Sequence, residues 1–104
     1  MIVEYTRYRI PQDRRESFVN AYEQAADYLS ASPHCLAYEL SHCVEDQDRY
    51  VLRIEWKSTQ EHIEGFRKEA GFKEFFRLVQ PFVDNIEEMK HYELTDVVLW
   101  KKTV

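Results

Sequence analysis

Apolar and polar residues alternate along some stretches of the chain and recur at helical spacing along others. From Ile2 to Ile10, Val, Tyr, Thr and Ile mix with charges until Pro11, which has no amide hydrogen for a ladder, so a first strand is predicted. Phe18, Val19, Tyr22, Ala25, Ala26 and Leu29 then share one stripe of a 3.6-residue wheel, with Glu16, Asn20, Glu23, Gln24 and Asp27 opposite. Asp13 and Glu16, three apart, predict a capping box for this helix. Ser30, Ser32 and Pro33 break it. Leu36, Tyr38, Leu40, His42 and Val44 next alternate with Ala37, Glu39, Ser41 and Cys43, a half-buried strand. After the polar turn Glu45–Asp48, Tyr50, Leu52, Ile54 and Trp56 alternate back, and an antiparallel hairpin is predicted.

Ser58 and Glu61 form a second capping box in front of a discontinuous helical pattern. Ile63, Phe66 and Ala70 lie on one side of the wheel, whereas Phe72, Phe76, Val79 and Val83 point nearly opposite if the helix is continuous. A break at Gly71 turns both sets onto one sheet, and Pro81 kinks or ends the second piece. Ile86 to Leu94 reads as a fourth strand. The predicted fold is α+β and ferredoxin-like, βαββαβ, over residues 1–94, with an antiparallel four-stranded sheet and helices on one face.

Residues 95–104 form a tail whose apolar Val97–Trp100 segment is expected to pack on a dimer partner. The sheet face away from the helices draws on Glu39, Ser41, Arg53 and Glu55, with either Arg7 and Arg9 or Glu4 and Thr6. It is solvated, or it packs against a second copy through paired charges.

Composition removes several function classes. At 104 residues the chain is one domain, large enough for a core without disulfides or a metal. Its longest apolar stretch is far short of a membrane span, and Glu4, Arg7 and Arg9 interrupt any leader-like segment, so cytoplasmic residence without membrane association is expected. A net charge of −5, with basic residues only in short pairs such as Arg14-Arg15, Arg67-Lys68 and Lys101-Lys102, argues against nucleic acid. With Gly65 and Gly71 the only glycines, no phosphate-cradling loop can be written.

Candidate chemistry is sparse. Cys35 and Cys43 sit eight residues apart on one predicted strand, about 26 Å at strand rise, so they neither bridge nor combine with His34 and His42 as a zinc site. Glu61/Glu64 and Glu87-Glu88 read as solvated carboxylates. Among the histidines, His62, one turn before Phe66, and His91 are the candidate bases. Tyr38, Trp56, Phe66, Phe72 and Phe76, with Tyr5 or Tyr8, Phe75 and Phe82, supply walls for a flat organic ligand or are simply core.

The opening MIVEYTRYRI, the passage SASPHCLAYEL, the run YVLRIEWKSTQEHIEGF and the closing GFKEFFRLVQPFV together resemble the antibiotic biosynthesis monooxygenase family, from Met1 to about Leu94. The resemblance implies a ferredoxin-like protomer that dimerises into an α+β barrel. It also implies oxygenase chemistry without metal or flavin, in which a phenol- or quinol-like substrate, deprotonated and oriented by the protein, delivers electrons to oxygen. His62 or His91 would be the base and Tyr38, Trp56, Phe66, Phe72 and Phe76 the binding surface. Histidines that many relatives carry in the second helical region are replaced by Gly65 and Gly71. Arg7, Gly65 and Phe76 stand where the haem-degrading branch has Asn, Trp and His, which argues against haem. A non-catalytic ligand-binding or stress-related protein on the same fold is the alternative.

Overall fold

The computed structural model describes residues 1–101, apart from the side chain of Glu61. The Ser58–Glu61 capping box, Lys102 and the end of the tail therefore lie partly or wholly outside the described residues. Strands β1 (Ile2–Arg9), β2 (Cys35–His42), β3 (Arg49–Trp56) and β4 (Ile86–Glu93) form an antiparallel sheet in the order β2-β3-β1-β4. Helices α1 (Arg15–Ala31) and α2 (Ala70–Val79) cover one face, giving the expected ferredoxin-like α+β architecture. No helix among the described residues is long and apolar enough to cross a membrane.

The core follows the predicted periodicities. Tyr50, Leu52, Ile54 and Trp56 of β3 are all buried, facing Phe18, Tyr22, Ala25 and Leu29 of α1. Phe18 is the hub: its ring lies edge-on or tilted to Tyr8, Tyr22, Tyr50 and Phe82 at centroid distances of 4.8 to 5.2 Å. On β1 the choice between two faces resolves clearly. Glu4 and Thr6, 3% and 2% exposed, lie under the helices with Tyr8, and Arg7 and Arg9 take the open face. There Arg53 pairs within its own chain with Glu55 at 2.8 Å and Glu39 at 3.4 Å, and Arg7 pairs with Glu88 at 3.6 Å.

Several local expectations shift. A 3-10 turn at Gln12–Arg14 precedes α1, so Asp13 lies inside that turn and caps nothing; Arg14 occupies the cap position. Strand β2 is mostly exposed, because it is an edge strand and its register slips between Cys35 and Ala37, which leaves Leu36 52% exposed. The break in the second helical region falls at Glu69, two residues before Gly71, where the backbone becomes extended (φ −72°, ψ 148°). Neither glycine has a positive φ. An extended backbone is open to any residue, so the reorientation needs no glycine. Gly71 instead admits Tyr28, whose ring carbon would stand 3.1 Å from an added Cβ. Helix α2 stops at Val79 and tightens into a 3-10 segment, Gln80–Asn85, with Pro81 near its start, where the missing amide hydrogen costs least.

Before the break, the chain makes a π turn over Glu61–Gly65 and a 3-10 turn over Phe66–Lys68. The wider turn brings His62 and Phe66 inward and swings Ile63 out to 46% exposure, against the expectation that Ile63, Phe66 and Ala70 would be buried together.

Candidate active site

The π turn, the helix-facing side of β1 and the end of β3 meet around one carboxylate. Glu4 lies on β1, opposite Ile54 of β3 and His91 of β4 in the ladder. Its Oε2 accepts from Thr6 Oγ1 at 2.9 Å, and its Oε1 accepts from Trp56 Nε1 at 3.2 Å. The same Oε1 lies 2.9 Å from His62 Nδ1 and 3.6 Å from His91 Nε2. His62 Nδ1 is buried and meets Glu4 Oε1 off the N–H axis, a bent contact with a charged acceptor rather than a well-aligned hydrogen bond. Burial pushes the Glu4 carboxyl up, but hydrogen bonding and charge from His62, aided by Thr6 and His91, outweigh this and hold it below its usual value.

Aromatic rings fix His62 from two sides. Its ring centroid lies 4.3 Å from that of Trp56 and 5.1 Å from that of His91. Trp56 in turn packs against Phe66, which meets Phe72 and Phe75 nearly edge-on.

Beside these groups is a cavity of about 230 Å³, lined by Glu4, Thr6, Tyr8, Tyr22, Trp56, His62 and an apolar wall that includes Phe66, Phe72, Phe75 and Phe76. Phe76, Val83 and Met89 are 41 to 45% exposed and form its rim. Tyr8 and Tyr22 share a short hydroxyl-to-hydroxyl hydrogen bond in the wall. Burial pushes the Tyr8 hydroxyl up to about 12 and Tyr22 higher still, so both stay protonated near neutral pH. Two hydroxyls carry two protons, and one suffices for the bond between them. The other remains to donate to a ligand oxygen.

Residues 1–78, from the start of β1 to the penultimate residue of α2, match the model of the antibiotic biosynthesis monooxygenase family. The chain belongs to that family. It is 28% identical over 93 residues to the uncharacterized protein YczJ of Bacillus subtilis (strain 168), an alignment covering 89% of this chain and 98% of YczJ. A crystal structure from Bordetella bronchiseptica, of a protein named for the same family, superposes with a TM-score of 0.74 at 24% identity, covering 90% of this chain and 96% of the other. A conserved protein from Methanosarcina mazei Go1 gives 0.75 at 18% identity, covering 90% and 92%. At these identities the structural likeness establishes the fold.

Within this antibiotic biosynthesis monooxygenase fold, most of the expected site residues come together. His62, Trp56, Phe66, Phe72 and Phe76 line the cavity, and His91 stands behind His62 on β4. Tyr38 goes elsewhere. It sits on edge strand β2 under α1, bonds Ser30 through its hydroxyl at 2.9 Å, and lines a separate groove with Val19, Glu23 and Leu40. The cause is topological, since β2 and α2 occupy different parts of the sheet. Trp56 is also not a free donor, because its N–H is committed to Glu4. Sequence reading left out Glu4, Thr6 and Tyr22 as site residues. The signal for the first two was their place in the same alternation as Tyr8 and Ile10, which puts two polar residues on an otherwise apolar face.

Proposed function

We propose that the protein is a monooxygenase for a small phenol- or quinol-like substrate, working without metal or flavin, with His62 as its base. The observation that carries this reading is the buried His62–Glu4 pair in the wall of an aromatic cavity. A carboxylate beside Nδ1 favours the tautomer with the proton there, which leaves Nε2 as the acceptor for a phenolic proton. A spare tyrosine proton from the Tyr8–Tyr22 pair supports the oxygen as it becomes a phenolate, and apolar walls exclude water that would otherwise solvate the anion. The electron-rich phenolate supplies all four electrons that dioxygen takes up: one oxygen atom enters the ring, the other leaves as water with two hydrogens of the substrate, and the product is a quinone. An apolar cavity of about 150 Å³ takes benzene, so about 230 Å³ suits one substituted ring rather than a three-ring system.

The test is oxygen uptake with a panel of monocyclic quinols and phenols, comparing the wild type with His62→Ala. Uptake above buffer that falls at least about 100-fold in the variant, within the range of a general base, supports the reading. Saturable binding of a phenol without oxygen uptake favours the non-catalytic alternative.

We propose further that the protein is a homodimer, using the open sheet face and the tail. Val97, Leu99 and Trp100 are 92%, 75% and 74% exposed in the single chain, an apolar run that a second copy would cover. Sedimentation of the full chain against Leu99→Asp/Trp100→Asp tests this, with a shift toward monomer expected.

A further inference from the structure

We propose that Glu4, His62 and His91 form a binding site for a divalent first-row transition ion of the zinc class, and that the bound ion switches off the base assigned above. The site unites three elements that are remote in sequence. Glu4 and His91 face each other across the β1–β4 ladder, and the π turn lowers His62 onto them. One ligand atom from each of the three lies within 4.8 Å of the others, and Glu4 Oε1 stands 2.9 Å from His62 Nδ1 and 3.6 Å from His91 Nε2.

Those spacings suit an ion. Bonds of about 2.0 to 2.2 Å in tetrahedral geometry put neighbouring ligand atoms roughly 3.3 to 3.6 Å apart. The two separations from Glu4 Oε1, 2.9 and 3.6 Å, bracket that range, so small side-chain movements would close the site. The donor set is also selective. Two imidazoles and one carboxylate suit zinc, cobalt, nickel or iron(II) and disfavour magnesium and calcium, which prefer oxygen.

A second observation points the same way. His62 is 8% exposed, yet its Nδ1 has no aligned hydrogen-bond partner. A buried ring nitrogen held only by a bent contact to a carboxylate is under-satisfied, and a metal bond would satisfy it fully. Thr6 on Oε2 and Trp56 on Oε1 hold the carboxylate in place, the kind of outer support that metal ligands use. The ligands would occupy three positions and leave the fourth to water or a ligand oxygen.

The effect on chemistry follows from the imidazole. With the ion on Nδ1, the remaining ring proton resides on Nε2, and His62 can no longer accept a proton there. Metal binding and base-driven oxygen uptake are therefore antagonistic. The binding claim stands without the catalytic reading; only the inhibition rests on it.

The experiment titrates chelator-treated full chain with Zn²⁺ by calorimetry and with Co²⁺ by visible absorption. Expected are one ion per chain, a tetrahedral Co²⁺ spectrum displaced by Zn²⁺, and a rise in melting temperature with Zn²⁺. His91→Ala, on an exposed edge strand, and Glu4→Gln should each lose about 100-fold or more in affinity. His42→Ala and Cys43→Ser, remote surface controls, should bind as the wild type does. Circular dichroism establishes that each variant is folded, and His91→Ala decides the matter if Glu4→Gln is not. Equal Zn²⁺ affinity in wild type and folded His91→Ala overturns the site, as does loss of binding in a surface control. Oxygen uptake that Zn²⁺ leaves untouched despite binding overturns the inhibition. Binding without uptake on any phenol refutes the catalytic reading and leaves the site standing.

Discussion

The indole of Trp56 donates to Glu4 Oε1 at 3.2 Å, so a fully buried side chain and a buried carboxylate hold each other in place across β1 and β3. Removing the carboxylate strands the indole, the Thr6 hydroxyl and His62 at once. Glu4→Ala is expected to cost about 3 to 5 kcal/mol, the usual penalty for orphaning the partners of a buried charge. Glu4→Gln keeps an acceptor for Trp56 but loses the charge beside His62, and should cost about 1 to 3 kcal/mol. Urea unfolding of both variants measures the difference, and equal losses would mean that the charge, not the acceptor, is what matters.

Phe18 and Phe76 should separate stability from binding. Phe18 is fully buried among four rings, so Phe18→Ala is expected to destabilise by about 3 to 5 kcal/mol. Phe76, 42% exposed at the cavity rim, should cost under about 1 kcal/mol when truncated but weaken phenol binding severalfold. Thermal melts paired with ligand titrations test this, and a large stability loss in Phe76→Ala would return that residue to the core.

Gly65 is needed for close approach. A Cβ there would stand 2.5 Å from His34 Nε2, closer than atoms pack, and the imidazole also lies 3.5 Å from Glu69 at the helix break. Gly65→Ala should therefore destabilise by about 1 to 3 kcal/mol through overpacking. The double variant with His34→Ala should recover much of that loss, since the clash is gone. Additive losses in the double-mutant cycle would show that the two residues do not meet.

Burial pushes the Cys35 thiol up to about 11 from its ordinary 9.0, so its thiolate is scarce at pH 8. A two-unit rise lowers the thiolate fraction about 100-fold. The greater basicity returns about tenfold in nucleophilicity, for a net rate about tenfold below an ordinary thiol. Reaction of Cys43→Ser protein with a disulfide reagent should keep accelerating as pH rises through 10. A plateau near pH 9 would contradict the burial seen around Cys35.

Much of the fold was legible because side-chain periodicity reports which face a residue occupies. The hairpin partners Leu52, Ile54 and Trp56 were placed correctly by alternation alone, and Phe18, Tyr22 and Leu29 by helical spacing. Errors arose where geometry departed from those two periods. A π turn moved Ile63 outward, and a slipped register on an edge strand exposed Leu36. Tyr38 went to a different groove because no local pattern says which helix lies above a given strand.

By itself, then, the order of residues determined the elements, their sequence βαββαβ and the apolar stripes that drive burial, since these depend on neighbours a few positions apart. Only the folded chain decided that Glu4, His62 and His91 converge on one point beside an aromatic cavity. That convergence depends on strand register and on where a widened turn lands, and both are set by packing between segments far apart in the chain.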